Sequence, residues 1–167
     1  MKDDLYFFHQ TPKELAKDIC SNVVWETDDI VFEPFAGENA FYDAIPTELI
    51  KFRTEIEDGL CYKDFDYEGK KPSVIISNPP FRIDGKNAFF DIVIFFSKIR
   101  SVKKIIFLCS DVCFGSLTPK RMGKINEAGM FITKLDTCNV KIWRGRYRII
   151  TLERTYNNSF NYYMTIY

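Results

Sequence analysis

The chain has 167 residues, 46% of them hydrophobic and 28% charged, with 16 Phe and 9 Tyr. That length predicts one domain over residues 1–167, able to bury roughly 70% of the surface its unfolded chain exposes without a metal or disulfide staple. The composition excludes disordered and collagen-like classes. The longest apolar runs, such as Ile92-Val93-Ile94-Phe95-Phe96, fall far short of a membrane span, and the Met1-Lys2-Asp3-Asp4 start lacks a signal-peptide core.

Thr11-Pro12-Lys13-Glu14 predicts a helix start, with Thr11 as N-cap, Pro12 at the first position and Glu14 completing a capping box. That helix runs to about Ser21. Residues 29–34 read as a short apolar strand stopped by Pro34. A tight turn follows, then a helix near 39–45. Residues 49–56 read as a second strand and 72–77 as a third, apolar throughout and ended by Asn78-Pro79-Pro80-Phe81. An apolar helix is expected over 86–99, a buried strand over 102–109 and a short helix over 120–128. Strands are expected at 130–137 and 147–154, and another at 161–167. Alternating strands and helices predict an α/β fold with a mostly parallel sheet, helices on both faces and an antiparallel edge hairpin. Runs such as Val74-Ile75-Ile76 are apolar on both faces, as a sheet covered on both sides requires.

The formal charge is zero but unevenly spread. Residues 1–80 carry 8 Lys/Arg against 17 Asp/Glu, a balance of −9; residues 81–167 carry 15 against 6, a balance of +9. The basic half, with aromatics interleaved as in Trp143-Arg144-Gly145-Arg146-Tyr147-Arg148, suits either a solvated face or a polyanionic partner. Five cysteines (Cys20, Cys61, Cys109, Cys113, Cys138) form no C-x-x-C pair, which points to reduced thiols in a cytoplasmic protein. With one His, His9, no metal site is expected.

Three segments carry chemistry. Glu33-Pro34-Phe35-Ala36-Gly37-Glu38-Asn39-Ala40 is a strand, a small-residue turn and a helix start. In an open α/β sheet ligands bind outside the carboxyl ends of the strands, and glycine lets backbone approach a ligand. No G-x-G-x-x-G or G-K-[ST] pattern is present, so neither a pyrophosphate nor a triphosphate is indicated. Glu55 ends the second strand 18 residues after Gly37, where a carboxylate can accept from both ribose hydroxyls. Asn78-Pro79-Pro80-Phe81 follows a buried strand. Its prolines fix the backbone, so the Asn78 side chain and the Pro79 carbonyl can act as two acceptors aimed at one point beside the Phe81 ring. That is a receptor for a planar group bearing NH2, a nucleobase or a side-chain amide.

In order and spacing, Glu33-Pro34-Phe35-Ala36-Gly37, Glu55-Ile56 and Asn78-Pro79-Pro80-Phe81 resemble the class I S-adenosylmethionine-dependent methyltransferases. Among these they are similar to the amino-methyltransferases with an Asn/Asp-Pro-Pro-aromatic motif, chiefly small N6-adenine DNA enzymes of the phage or mobile-element kind. The resemblance covers about residues 5–110, takes in Phe8-His9-Gln10-Thr11-Pro12, and implies a Rossmann-like fold with S-adenosylmethionine as cofactor. It implies that Asn78 and the Pro79 carbonyl hold the target amine and that Phe81 stacks on the base. Glu33, Phe35 and Gly37 would line the methionine part, with Gln10 and Thr11 beside it; Asn78 also belongs to the cofactor site. Glu55, with Ile56, would hold the ribose, and Asp64 would meet the cofactor adenine. Asn39 stands where the family has a second glycine, and Asn tolerates left-handed backbone better than most residues.

These residues give the expectation of N6-adenine methylation of DNA. The alternatives are the same chemistry on RNA, N5-methylation of a protein glutamine, and a non-catalytic nucleic-acid-binding subunit. A duplex base must be flipped out to reach such a pocket. Arg82, Lys86, Lys120, Arg121, Arg144 and Arg146 are the expected phosphate contacts, in loops flanking one sheet edge. Without a separate target-recognition domain, specificity would come from those loops, a partner subunit or a second copy of the chain.

Overall fold

The computed structural model describes residues 10–138, 140, 143 and 145–154. In chain order these form α1 (Lys13–Ser21), β1 (Ile30–Glu33), α2 (Ala40–Ala44), β2 (Ile50–Arg53), a 3-10 turn (Ile56–Asp58) and β3 (Val74–Ser77). Then come β4 (Arg82–Ile83), β5 (Lys86–Asn87), α3 (Phe89–Ser97), β6 (Lys104–Ser110), α4 (Asp111–Gly115), α5 (Pro119–Glu127), β7 (Met130–Cys138) and β8 (Tyr147–Arg154). Six strands make one sheet in the order β2-β1-β3-β6-β8-β7. Neighbours from β2 to β6 pair in parallel. β8 runs antiparallel to both β6 and β7, the expected antiparallel pair at one edge.

The alternation of side chains along each strand divides the apolar residues between two cores. Phe32, Ile75, Ile105, Phe107 and Cys109 point to the face covered by α3 and α5, where Phe89, Ile92, Val93, Phe96 and Ile125 meet them. Val31, Val74, Ile76, Ile106 and Leu108 point to the face covered by α1 and α2, through Ala16, Ile19, Ala40 and Phe41. The crossover from β2 to β3 contains no α-helix. Aromatic rings cover the sheet there instead: Phe65 stacks on Phe32 with centroids 5.3 Å apart, and Tyr67 meets Phe32 edge-on at 5.1 Å.

Two local expectations change. Thr11 is not the cap of α1: Pro12 holds that position without a side-chain cap bond, and Glu14 pairs with Lys17 at 3.2 Å. The proline carbonyl already accepts from Ala16 N–H at 3.0 Å, which frees the Thr11 hydroxyl for tertiary use. The expected helix over 86–99 starts only at Phe89, because 82–87 form a β-hairpin. Its central residues Asp84 and Gly85 have φ of 50° and 73°, the two left-handed residues of the turn whose twist matches its strands. The Asp-Gly pair was the overlooked signal. Asn87 Oδ1 then accepts from Phe89 N–H at 3.1 Å and starts α3. The expected strand at 161–167 lies outside the described residues.

The end of β8 is tied to the helices by one side chain. The Arg154 guanidinium donates to the carbonyls of Val102 at 2.9 Å, Ala128 at 2.7 Å and Ser97 at 2.7 Å, with Ile99 at 3.2 Å. Ser97 and Ile99 belong to the end of α3, and Ala128 ends α5. Carbonyls left over at helix ends need such donors. Arg154→Met keeps the aliphatic stem and removes every donor. It should lower the stability measured by denaturant titration by at least about 1.5–3 kcal/mol, the range for one hydrogen bond to a charged group.

Candidate active site

β1 and β3 are neighbours in the sheet, although β2 lies between them in the chain. The chain therefore leaves β1 in one direction and returns on its other side. The carboxyl ends of β1 and β3 flank the crevice where open α/β sheets bind ligands. Both expected motifs lie at that point. Glu33 ends β1 and the turn at 34–39 follows; Ser77 ends β3 and Asn78-Pro79-Pro80-Phe81 follows.

The turn after β1 is held from three sides. Ala36 N–H donates to the Thr54 carbonyl at 3.0 Å, and the Thr54 hydroxyl donates to the Pro34 carbonyl at 2.8 Å. The Ser77 hydroxyl donates to the Phe35 carbonyl at 3.3 Å, which joins this turn to the end of β3. Gly37 has φ 48° and Asn39 φ 64°, so the position where the family has its second glycine does adopt left-handed backbone here. A Cβ on Gly37 would come within 2.8 Å of Gln10 Oε1. That oxygen accepts from Glu38 N–H at 3.3 Å, which brings Gln10 over the turn.

Glu55 closes the arrangement. Its carboxylate accepts from Gly37 N–H at 2.6 Å and from Ile56 N–H at 2.9 Å, linking the turns after β1 and β2. Ile56 beside it is 64% exposed, leaving an apolar surface open next to the carboxylate. Asp64 is exposed, and its backbone N–H donates to the Cys61 carbonyl at 3.1 Å. Close by in the chain, Tyr62 and Lys63 border a recess of about 150 Å³ between the β4–β5 hairpin and the start of α3. A larger groove of about 460 Å³ continues along α3 to Lys98 and Ile99. Phe35 meets Tyr62 edge-on at 4.9 Å.

Glu33 is 1% exposed. Its Oε2 has no hydrogen-bond partner among the described residues. Burial pushes its carboxyl up to about 9. The Tyr42 N–H and the Arg53 charge oppose that rise, and Asp43 and Glu55 add to it.

On the other side of the crevice, Asn78 Nδ2 donates to the Thr11 hydroxyl at 3.3 Å, bringing the N-terminal segment onto the Pro-Pro turn. Pro79 is buried and Phe81 half-buried. The Phe81 ring touches both cores and lies 6.3 Å from Tyr147, which in turn lies 4.7 Å from Trp143. Phe8 and His9 of the motif segment lie outside the described residues.

The expected basic contacts divide. Arg82 and Lys86 are exposed on the hairpin, on opposite faces, since Arg82 pairs with Asn87 and Lys86 with Ile83. Lys120 and Arg146 are exposed. Arg121 is half-buried: it donates to the Ser116 carbonyl at 2.8 Å and lies 5.0 Å from the Phe90 ring centre. Arg144 lies outside the described residues. Among the described residues no cluster of three His, Cys, Asp or Glu side chains could hold a metal ion.

No protein-family model matches the sequence, and no curated protein is similar enough to count as a match. Solved structures match by shape. A Listeria monocytogenes protein assigned to the class I S-adenosylmethionine-dependent methyltransferases superposes with a TM-score of 0.67 at 15% identity, over 91% of this chain and 62% of that one. The fold is that of the class I methyltransferases. A second methyltransferase-fold match is the magnesium protoporphyrin IX methyltransferase of Synechocystis PCC 6803 with bound S-adenosylhomocysteine (TM-score 0.53, 12% identity, 86% of this chain, 83% of that one). A third is a Vibrio vulnificus protein assigned as the modification subunit of a type I restriction enzyme (TM-score 0.54, 12% identity, 87% and 44%). The chain thus spans less than two thirds of the Listeria and Vibrio proteins. In this methyltransferase fold the turn after β1, the end of β2 and the turn after β3 stand together at one crevice.

The buried Glu33 makes stability fall as pH rises. The folded protein holds a proton on Glu33 that the unfolded chain releases above about 4.5, the ordinary value, so unfolding releases a proton between there and about 9. Glu33→Gln removes this dependence. Melting temperatures of the two proteins should converge near pH 4 and separate toward pH 8, with the variant higher. A parallel course of the two curves would show that Glu33 is already ionised in the fold.

Proposed function

We propose that the chain is an S-adenosylmethionine-dependent methyltransferase acting on the exocyclic N6 amine of adenine in DNA. The carrying observation is the Asn78-Pro79-Pro80-Phe81 turn at the end of β3, across the switch point from the Gly37 turn and Glu55. The residues at the crevice fit the cofactor. Glu33 offers a buried carboxyl oxygen without a partner among the described residues; an ammonium group placed against it would favour its ionised form over the protonated one that burial maintains. Glu55 offers a carboxylate held in place by Gly37 and Ile56 N–H groups, suited to ribose hydroxyls. Exposed Ile56 and Asp64 suit the two characters of adenine, an apolar face and an amine edge. Gln10, Thr11, Phe35 and Gly37 complete the methionine end.

When bound, the cofactor supplies a methyl group already activated on a sulfonium, so the protein needs no metal or covalent nucleophile. Its own task is placement. The Asn78 Oδ1 and the Pro79 carbonyl accept hydrogen bonds from the adenine amine. That raises electron density on the nitrogen and aims its lone pair. The two prolines fix the backbone that carries both acceptors before substrate arrives, and such preorganisation accounts for most of the acceleration in sites of this kind. Phe81 provides the ring on which the extruded base stacks.

DNA is favoured over a protein glutamine by the exposed cations Arg82, Lys86, Lys120 and Arg146, joined in the proposal by Arg121 and Arg144. The resemblance of the motifs to small N6-adenine DNA enzymes supports DNA over RNA. A partner subunit or a second copy would supply sequence specificity.

Labelled cofactor incubated with duplex DNA, single-stranded DNA and RNA, followed by digestion to nucleosides, tests the reading. Label is expected in N6-methyl-2′-deoxyadenosine from DNA; label confined to RNA or to protein would replace it. Asn78→Ala should lower turnover by about 100- to 1,000-fold, as for loss of one preorganised catalytic hydrogen bond, with the fold intact by circular dichroism. Near-normal turnover would make the Pro-Pro turn structural. Glu55→Ala should weaken S-adenosylhomocysteine binding by about 1.5–3 kcal/mol in calorimetry.

A further inference from the structure

We propose that the β4–β5 hairpin reads DNA sequence beside the target adenine, with Arg82 donating to the major-groove edge of a guanine within about three base pairs of it. This rests on the reading of adenine in DNA as the substrate. It gives the chain a recognition element of its own and makes Arg82 a base contact instead of a phosphate contact. The hairpin belongs to neither core: all six of its residues, 82–87, are exposed, and its strands form a sheet separate from the six-stranded one. A two-stranded ribbon is marginal in water by itself, but this one is held at both ends. Asp84 and Gly85 turn its tip with left-handed backbone. At its base Ala88 N–H donates to the Phe81 carbonyl at 3.4 Å and Phe89 N–H to Asn87 Oδ1 at 3.1 Å. Ala88 and Phe89 are themselves buried.

Its place suits a reader. The ribbon starts on the residue after Phe81, the ring proposed to stack on the extruded base. At roughly 3.3 Å per residue its tip lies about 10 Å along the chain from Phe81, which matches about three base-pair steps. The major groove is about 12 Å wide and admits a two-stranded ribbon. Side chains alternate between the two faces of such a ribbon. Ile83 and Lys86 are cross-strand partners and, with Asn87 at the base, border the recess beside Tyr62 and Lys63. That face is turned to the protein. Arg82 does not border the recess and, alternating with Ile83, takes the opposite face. Arg121, Arg148 and Arg154 of the same basic half donate to protein acceptors, whereas Arg82 is exposed. A guanidinium presents its donors as a fixed fork that matches O6 and N7 of guanine, the commonest base-specific contact.

The experiment uses short duplexes with one fixed adenine and about three randomised base pairs on each side, methylated by wild type, Arg82→Lys, Arg82→Ala and Lys120→Ala. Methylated sites are read by sequencing, and binding is measured across a salt series. Arg82 and Lys120 are exposed, so the substitutions leave both cores intact. Wild type is expected to favour guanine at one randomised position by about 5- to 150-fold, the discrimination of one bidentate contact. Arg82→Lys keeps the charge and loses the fork, so it should lose most of that preference with the salt slope unchanged; Arg82→Ala should lose it as well. Lys120→Ala should weaken all sequences alike and flatten the log–log salt slope by about one unit. DNA methylated with no base preference at the randomised positions would overturn the proposal. So would an Arg82→Lys protein that keeps the wild-type preference, or an Arg82→Ala protein that weakens every sequence alike, the mark of a phosphate contact. Failure of the underlying reading looks different: wild type then transfers no methyl to DNA of any sequence, and the proposal falls with it.

Discussion

The site depends on one carboxylate. Glu55 leaves the end of β2 and accepts two backbone N–H groups, one from Gly37 at 2.6 Å and one from Ile56 at 2.9 Å. The first bond crosses from the second crossover to the first turn. Gly37 makes this bond while itself holding left-handed backbone. A charge-assisted bond of this kind is about twice as strong as a neutral one, and it closes the turn after β1 against the sheet. Gln10 then rests on the same turn through Glu38. The N-terminal segment is thereby placed where Thr11 reaches Asn78. Three chain segments far apart in sequence meet around the turn at 34–39.

The Glu55 carboxylate is satisfied within the protein itself. Both of its oxygens accept from backbone donors, as a buried polar group requires. A ribose would compete for the same oxygens and would have to replace those bonds or add to them. Glu33 solves the same problem differently. Lacking a partner for one oxygen among the described residues, it keeps a proton instead, which burial favours. Backbone donors satisfy one acid, and burial keeps the other protonated.

Much of this was legible in the sequence, and the reasons are local. Gly37, Glu55 and the double proline are residues whose backbone or charge demands are strong enough to fix their own surroundings. The parallel strands were legible because Val74-Ile75-Ile76 is apolar on both faces, and the structure sends its side chains alternately into two cores. The errors came where one residue satisfies two patterns. Thr11-Pro12 reads as a cap but serves a tertiary contact with Asn78. Residues 86–88 directly precede the apolar helical run, and Asp84-Gly85 folds the chain back into a hairpin before α3 begins. The aromatic cover of Phe65 and Tyr67 over Phe32 was not legible at all, since no periodicity marks rings that replace a helix.

The charge asymmetry needs the same correction, because a sequence counts cations without saying what they already hold. In the basic half, Arg154 is committed to four carbonyls, and Arg148 to Asp111 at 2.6 Å and Thr137 at 2.9 Å. Lys104 reaches the Val24 carbonyl at 2.9 Å and Glu153 at 3.7 Å, and Lys103 lies 3.5 Å from Glu26. Arg154 ties β8 to the ends of α3 and α5, Arg148 ties it to α4 and β7, and Lys104 lies against Glu153 of β8. The cations left exposed include Arg82 and Lys86 on the hairpin, Lys120 at the start of α5 and Arg146 before β8. Topology places all four toward one end. The hairpin follows the end of β3. α5 begins where β6 and α4 end. β8, antiparallel to β6, begins beside Ser110. The carboxyl edge of the sheet therefore carries an acidic pocket over β1 and β2 and scattered cations over β3 to β8.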